Sequence, residues 1–177
     1  MSVPATWVMS LLVALEPSTP WRATYEKTAE AIAKVAESEP LFAEEKGDQR
    51  TAALLVAIAW HESRFKPNAK SSNNQWFCLY QIDRRHLGPE PEKALNDQEA
   101  CSRAAVQIIK GSLAKCKARP AEERLAVFMS GSCEKGLAES RYRTFLANKL
   151  LKEHPAPEPP PPPAVYAQRA RAEVTSH

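Results

Sequence analysis

Apolar positions along this chain recur at intervals of three and four residues, the spacing of one face of a helix. Trp21, Tyr25, Thr28, Ile32 and Val35 form one such stripe. Ser18-Thr19-Pro20 marks its start, with proline at the first helical position, and Glu39-Pro40 marks its end. The run Arg50 to His61 contains no glycine or proline and is rich in alanine and leucine, which is helix composition. Asp48 stands where it can cap that helix. Gly88-Pro89-Glu90-Pro91 reads as a turn, and Asn96 with Glu99 has capping-box spacing. Beyond them Cys101, Ala105, Ile108 and Leu113 form a core stripe, and Pro120 opens a helix through Leu125 to Met129. Tyr142, Phe145, Leu146 and Leu150 mark a last amphipathic helix. Strict alternation and hairpin signals are missing, so the expected class is all-α, mostly helical, in a single domain.

The ends read differently from the middle. Residues 5 to 15 are an apolar run too short to span a bilayer. They are either the apolar part of a signal peptide or a short helix packed on the domain. Residues 155 to 163 are a polyproline II spacer, followed by a basic tail with Arg169 and Arg171 that docks to a protein partner or stays solvated. The expected division is 1–19 apolar segment, 20–153 domain, and 154–177 proline-rich linker and basic tail.

Length and charge change this picture little. The 177 residues suit one domain with a real core. A formal net charge of +3 mildly favours an anionic surface such as a bacterial wall. No basic cluster with interleaved aromatics points to nucleic acid. Cys78, Cys101, Cys116 and Cys133 contain no Cys-x-x-Cys, which argues against a zinc or thioredoxin-like site. They form two disulfides, with three connectivities open, or remain four buried thiols.

The chemistry concentrates at the end of the Arg50–His61 run. Leu55, Ile58 and Ala59 share a helical face with Glu62, so a carboxylate continues the apolar stripe. A carboxylate there must be paired or carry a raised pKa. Pro67 stops the helix from continuing, which leaves Glu62 beside a loop where a substrate can reach it. Trp76, Phe77 and Tyr80 follow closely and either line a groove or close the core. Asp83 is the one acid between Glu62 and the Gly88-Pro89 turn; it faces the cleft or caps a turn. No Gly-x-Ser-x-Gly is present, and four scattered histidines position no cysteine nucleophile.

Glu62-Ser63-Arg64-Phe65-Lys66-Pro67-Asn68-Ala69-Lys70-Ser71, followed by Cys78-Leu79-Tyr80-Gln81, resembles the signature of the soluble lytic transglycosylase (SLT) domain family. Cys78 stands where that family usually has glycine. A third family segment, aromatic-Asn-Ala-Gly, appears as Phe128-Met129-Ser130-Gly131, and a late-helix tyrosine as Tyr142. The resemblance spans roughly residues 48 to 152. It implies a lysozyme-like fold related to goose-type lysozymes, and cleavage of the MurNAc–GlcNAc β-1,4 bond of peptidoglycan with Glu62 as the single catalytic acid. The products would carry 1,6-anhydromuramic ends. It further implies that Ser63, Ser71, Tyr80, Gln81, Phe128 and Tyr142 contact the sugar or shape its site. No cofactor and no metal are expected, the glycan strand is the partner, and the protein works as a monomer. Its place of action would be the bacterial wall, reached by export or on a phage. Two alternatives stand beside this reading: a muramidase that hydrolyses the same bond, and a glycan-binding module that keeps the fold without turnover.

Overall fold

The computed structural model describes residues 3–17 and 22–158. The helix start at Ser18 to Pro20, Trp21, and the basic tail with most of the polyproline run lie outside the described residues. Among the described residues there are six α-helices: α1 (Ala5–Leu15), α2 (Arg22–Ser38), α3 (Gly47–Ser63), α4 (Gln98–Lys115), α5 (Ala126–Ser130) and α6 (Leu137–Glu153). Short 3-10 turns at Arg84–His86, Pro91–Leu95 and Ala121–Glu123 join them. The mostly helical class expected from the periodicity is the class observed.

The molecule is built around α3. Every residue from Thr51 to Ala59 is buried, so this helix is apolar on all sides rather than along one stripe. Its alanines let α1, α2 and α6 approach closely, and those helices surround it. Entry into α3 is tight. A β-carbon on Gly47 would meet the Phe42 carbonyl oxygen at 2.0 Å, so no other residue fits there without moving the chain. Asp48 is not the cap. The cap position is Lys46, in the left-handed region, and Asp48 already lies in the first turn, where its carboxylate accepts from the Gln49 N–H at 2.8 Å. The capping box at Asn96 is also displaced by one residue. Asp97 caps α4 by accepting from the Ala100 N–H at 2.9 Å, while Glu99 pairs with Lys34 and Arg103.

The apolar segment near the N-terminus forms α1 and packs on α2 and α3, with Val8, Leu11 and Leu12 fully buried. Trp7 Nε1 donates to the His154 carbonyl at 2.9 Å and ties α1 to the end of α6. Two features depart from expectation. A two-stranded antiparallel sheet, β1 (Trp76–Phe77) with β2 (Ile82–Asp83), pairs Trp76 with Asp83 and Phe77 with Ile82. Strands of two residues are too short to leave an alternating pattern. On α6, Leu146 and Leu150 are buried as expected, but Tyr142 and Phe145 are exposed. Of the three connectivities open to four cysteines, the one formed is Cys78–Cys101 with Cys116–Cys133.

Candidate active site

α3 ends at Ser63, and the chain leaves it through two consecutive left-handed residues, Arg64 (φ 53°) and Phe65 (φ 58°). Side chains with a β-carbon pay for that conformation, so it persists only where packing fixes it. Phe65 is buried and meets the Tyr25 ring edge-on at 5.6 Å, and the Arg64 guanidinium lies 3.8 Å over the Trp60 ring. The helix therefore stops four residues short of Pro67, at a rigid corner that carries Glu62 on its last turn.

Glu62 opens onto a cleft of about 690 Å³. The walls come from separate parts of the chain: the β1–β2 hairpin with Trp76, Tyr80 and Gln81, the Phe128-Met129-Ser130-Gly131 segment, and Arg143 with Glu139 on α6. The Glu62 side chain is 24% exposed, reached from the cleft yet screened from bulk water. Its Oε1 accepts from Arg143 Nη2 at 2.8 Å, and the Arg143 side chain is only 11% exposed. Arg143 Nη1 also donates to the Glu139 carbonyl at 3.2 Å.

Of the seven residues that the family resemblance singled out, Glu62, Tyr80, Gln81 and Phe128 line this cleft. Gln81 holds a left-handed backbone (φ 48°), and its Nε2 donates to the Cys78 carbonyl at 3.1 Å. Tyr80 is fully buried, its hydroxyl paired with Ser102 Oγ at 3.1 Å, and burial pushes its phenol above the ordinary range. The remaining three residues lie outside the lining. Ser63 Oγ donates to the Leu79 carbonyl at 2.7 Å, which fastens the end of α3 to the Leu79–Gln81 segment. Ser71 Oγ donates to Asn73 at 2.7 Å and accepts from the Gln75 and Trp76 N–H groups, which fixes the loop before β1. Tyr142 is exposed and packs edge-on against His61 at 4.8 Å.

The neighbours Trp76 and Phe77 divide the two roles open to them, because successive strand residues face opposite sides. Phe77 is fully buried in the core, whereas Trp76 is 44% exposed and lines the cleft. Asp83 does both things open to it: it lines the cleft and caps the 3-10 turn that follows it. Its Oδ1 accepts from Arg85 N–H and Nε at 2.9 and 3.0 Å, and its Oδ2 from Gln75 Nε2 and Arg85 Nη2 at 2.7 and 2.8 Å. Four donors fill both oxygens. The Arg85 guanidinium holds this carboxyl well below the usual carboxylate range. Among the described residues no group of three or more His, Cys, Asp or Glu side chains could hold a metal.

Arg143 escaped the sequence reading. It lies 81 residues from its partner on an otherwise ordinary charged helix, and no local pattern distinguishes it from a solvated arginine. Glu139, one turn before it on α6, is a second addition to the cleft wall.

The transglycosylase SLT domain model matches residues 25–130, more than half of the chain. The protein therefore belongs to the SLT domain family, with its lysozyme-like, mostly helical fold and its activity on peptidoglycan. Neither the curated proteins nor the solved structures give a match.

Proposed function

We propose that this protein is a lytic transglycosylase in which Glu62 is the catalytic acid and base. The observation that carries the reading is the placement of Glu62: the last turn of a rigid buried helix presents its carboxyl to a cleft whose walls include three of the family's four motif segments. Acting as general acid, Glu62 gives a proton to the glycosidic oxygen as the bond from C1 of the muramoyl residue breaks, and the bonding electron pair stays on that oxygen. The 2-acetamido carbonyl of the same sugar bonds to C1. The Glu62 carboxylate then takes the proton of the C6 hydroxyl, whose oxygen displaces the acetamido group. A 1,6-anhydro ring closes without water, and both Glu62 and the acetamido group are regenerated.

Asp83 favours this single-acid route. A two-carboxylate lysozyme needs a second acid with an oxygen free to act as base or nucleophile, and both Asp83 oxygens are already occupied by four donors. Trp76 and Phe128 offer apolar surface against which sugar rings pack. Two disulfides suit the oxidising surroundings outside the cytoplasm, where the wall lies.

Digestion of purified murein followed by mass spectrometry of the fragments tests the reaction type. Anhydro ends are expected. Reducing ends would reassign the protein to hydrolysis, with Glu139 at the cleft wall as the residue to examine for placing water. Binding without any cleavage would leave the glycan-binding module.

A further inference from the structure

From the contact between Arg143 and Glu62 in the cleft we infer that Arg143 is a positioning residue for Glu62: its guanidinium holds Oε1, leaves Oε2 as the oxygen that gives and takes the proton, and offsets the negative charge once that proton has gone to the departing oxygen. The inference rests on the reading of Glu62 as the acid. The geometry is specific. Arg143 Nη2 reaches Glu62 Oε1 at 2.8 Å, and Nη1 is anchored to the Glu139 carbonyl one turn back on its own helix. An arginine held at both ends of its fork has little freedom to swing, so it sets the carboxyl rather than following it.

The arrangement is not explained by stability. Arg143 Nε is buried without a partner, and the guanidinium is largely desolvated for the sake of one ion pair. Buried pairs of this kind are often no better for folding than apolar replacements. Charge and donors kept in a cleft wall at such cost mark a working residue. Tyr142, the nearest tyrosine in this helix, cannot take the role because it is packed against His61. α6 also lies beyond the stretch matched by the family model, so the pairing belongs to this chain's own coordinates.

The test compares wild type, Arg143→Met, Arg143→Lys and Arg143→Ala on solubilised murein, with circular dichroism of each. Arg143→Met is expected to lower kcat by about 100-fold, with KM changed less than about threefold, as for a donor or alignment lost at the reacting centre. Arg143→Lys, which keeps the charge but not the fork, should recover about tenfold of that loss. Added methylguanidinium should raise turnover by Arg143→Ala, an effect that a purely structural arginine would not give. Unchanged kcat in Arg143→Met, or a rise in KM with kcat intact, would overturn the role. If Arg143→Met and Arg143→Ala fail to fold, an Arg143→Lys that folds and turns over like wild type would overturn it equally. Inactive wild type would remove the acid reading itself, whereas active wild type beside an unaffected Arg143→Met would overturn the positioning role alone.

Discussion

Two titrating side chains near the cleft make opposite kinds of contact, and each leaves a signature in stability. Asp83 is held below the usual carboxylate range by Arg85, by its cap to the Arg85 N–H and by Gln75. A depressed folded pKa contributes stability that is complete above the unfolded value of about 4 and is lost as pH falls toward the folded one. Asp83→Asn keeps an acceptor for the cap but loses the charged acceptor for Gln75 and the Arg85 guanidinium, and is therefore expected to cost about 1 kcal/mol at pH 7, since the exposed Arg85 is screened by solvent. That difference should shrink in denaturant titrations below about pH 4. His61 is pushed down by burial and then by the charges of Arg143 and Arg64. The unfolded chain takes up this proton first, so stability is complete above about pH 6.5 and declines as pH falls below it. His61→Phe should flatten urea midpoints between pH 7 and pH 5; an unchanged slope would contradict the burial seen for His61 Nε2. These residues also show what the sequence could tell. The place of Glu62 beside a cleft was legible because it follows an apolar helical run, stands just before a helix-stopping proline, and has neighbours that spell a family signature. Arg143 was not, because only the packing of α6 on α3 brings it to Glu62. Asp83 was legible as a capping residue, but not the number of donors it collects.

At the level of elements, the turn from β1 into β2 is where the chain departs from its family and compensates. Cys78 occupies a left-handed position (φ 60°), which is natural for the glycine usual there and costs a residue with a β-carbon about 1 kcal/mol. The Cys78–Cys101 bond crosses to α4 and closes a loop of 23 residues, which by loop entropy is worth about 3 kcal/mol. The cross-link more than offsets the strain, and it holds the Leu79–Gln81 segment that shapes the cleft. Cys78→Ala with Cys101→Ala is accordingly expected to lose about 3 kcal/mol, and Cys78→Gly with Cys101→Ala about 1 kcal/mol less. Thermal melts of the two pairs would decide; equal losses would refute the strain. Periodicity revealed the helices well and their starts poorly. Asp48 and Asn96 each missed the cap by a residue or two, because a cap is fixed by local backbone angles rather than by residue type alone. Tyr142, Phe145 and Leu146 fall at i, i+3 and i+4, yet only Leu146 is buried, so spacing alone does not tell which of them the core takes.

For the whole molecule, α1 packs into the same apolar core as α2 and α3. Val8, Leu11 and Leu12 are fully buried against α2 and α3, and each contributes about 1.5–3 kcal/mol by burial. Their sum, about 5–9 kcal/mol, approaches the entire stability of an ordinary domain. A protein starting at residue 17 should therefore lose its cooperative thermal transition, and a sharp melt at the wild-type temperature would contradict the packing of α1. With that core intact, the buried α3 can act as a fixed arm that presents one carboxyl to a cleft. The most direct test of that arm is turnover of purified murein by wild type against Glu62→Gln, with both folded by circular dichroism. Wild type should release soluble fragments, and the variant should lose at least about 100-fold, the low end for removing a general acid. Equal release by both proteins would contradict Glu62 as that acid.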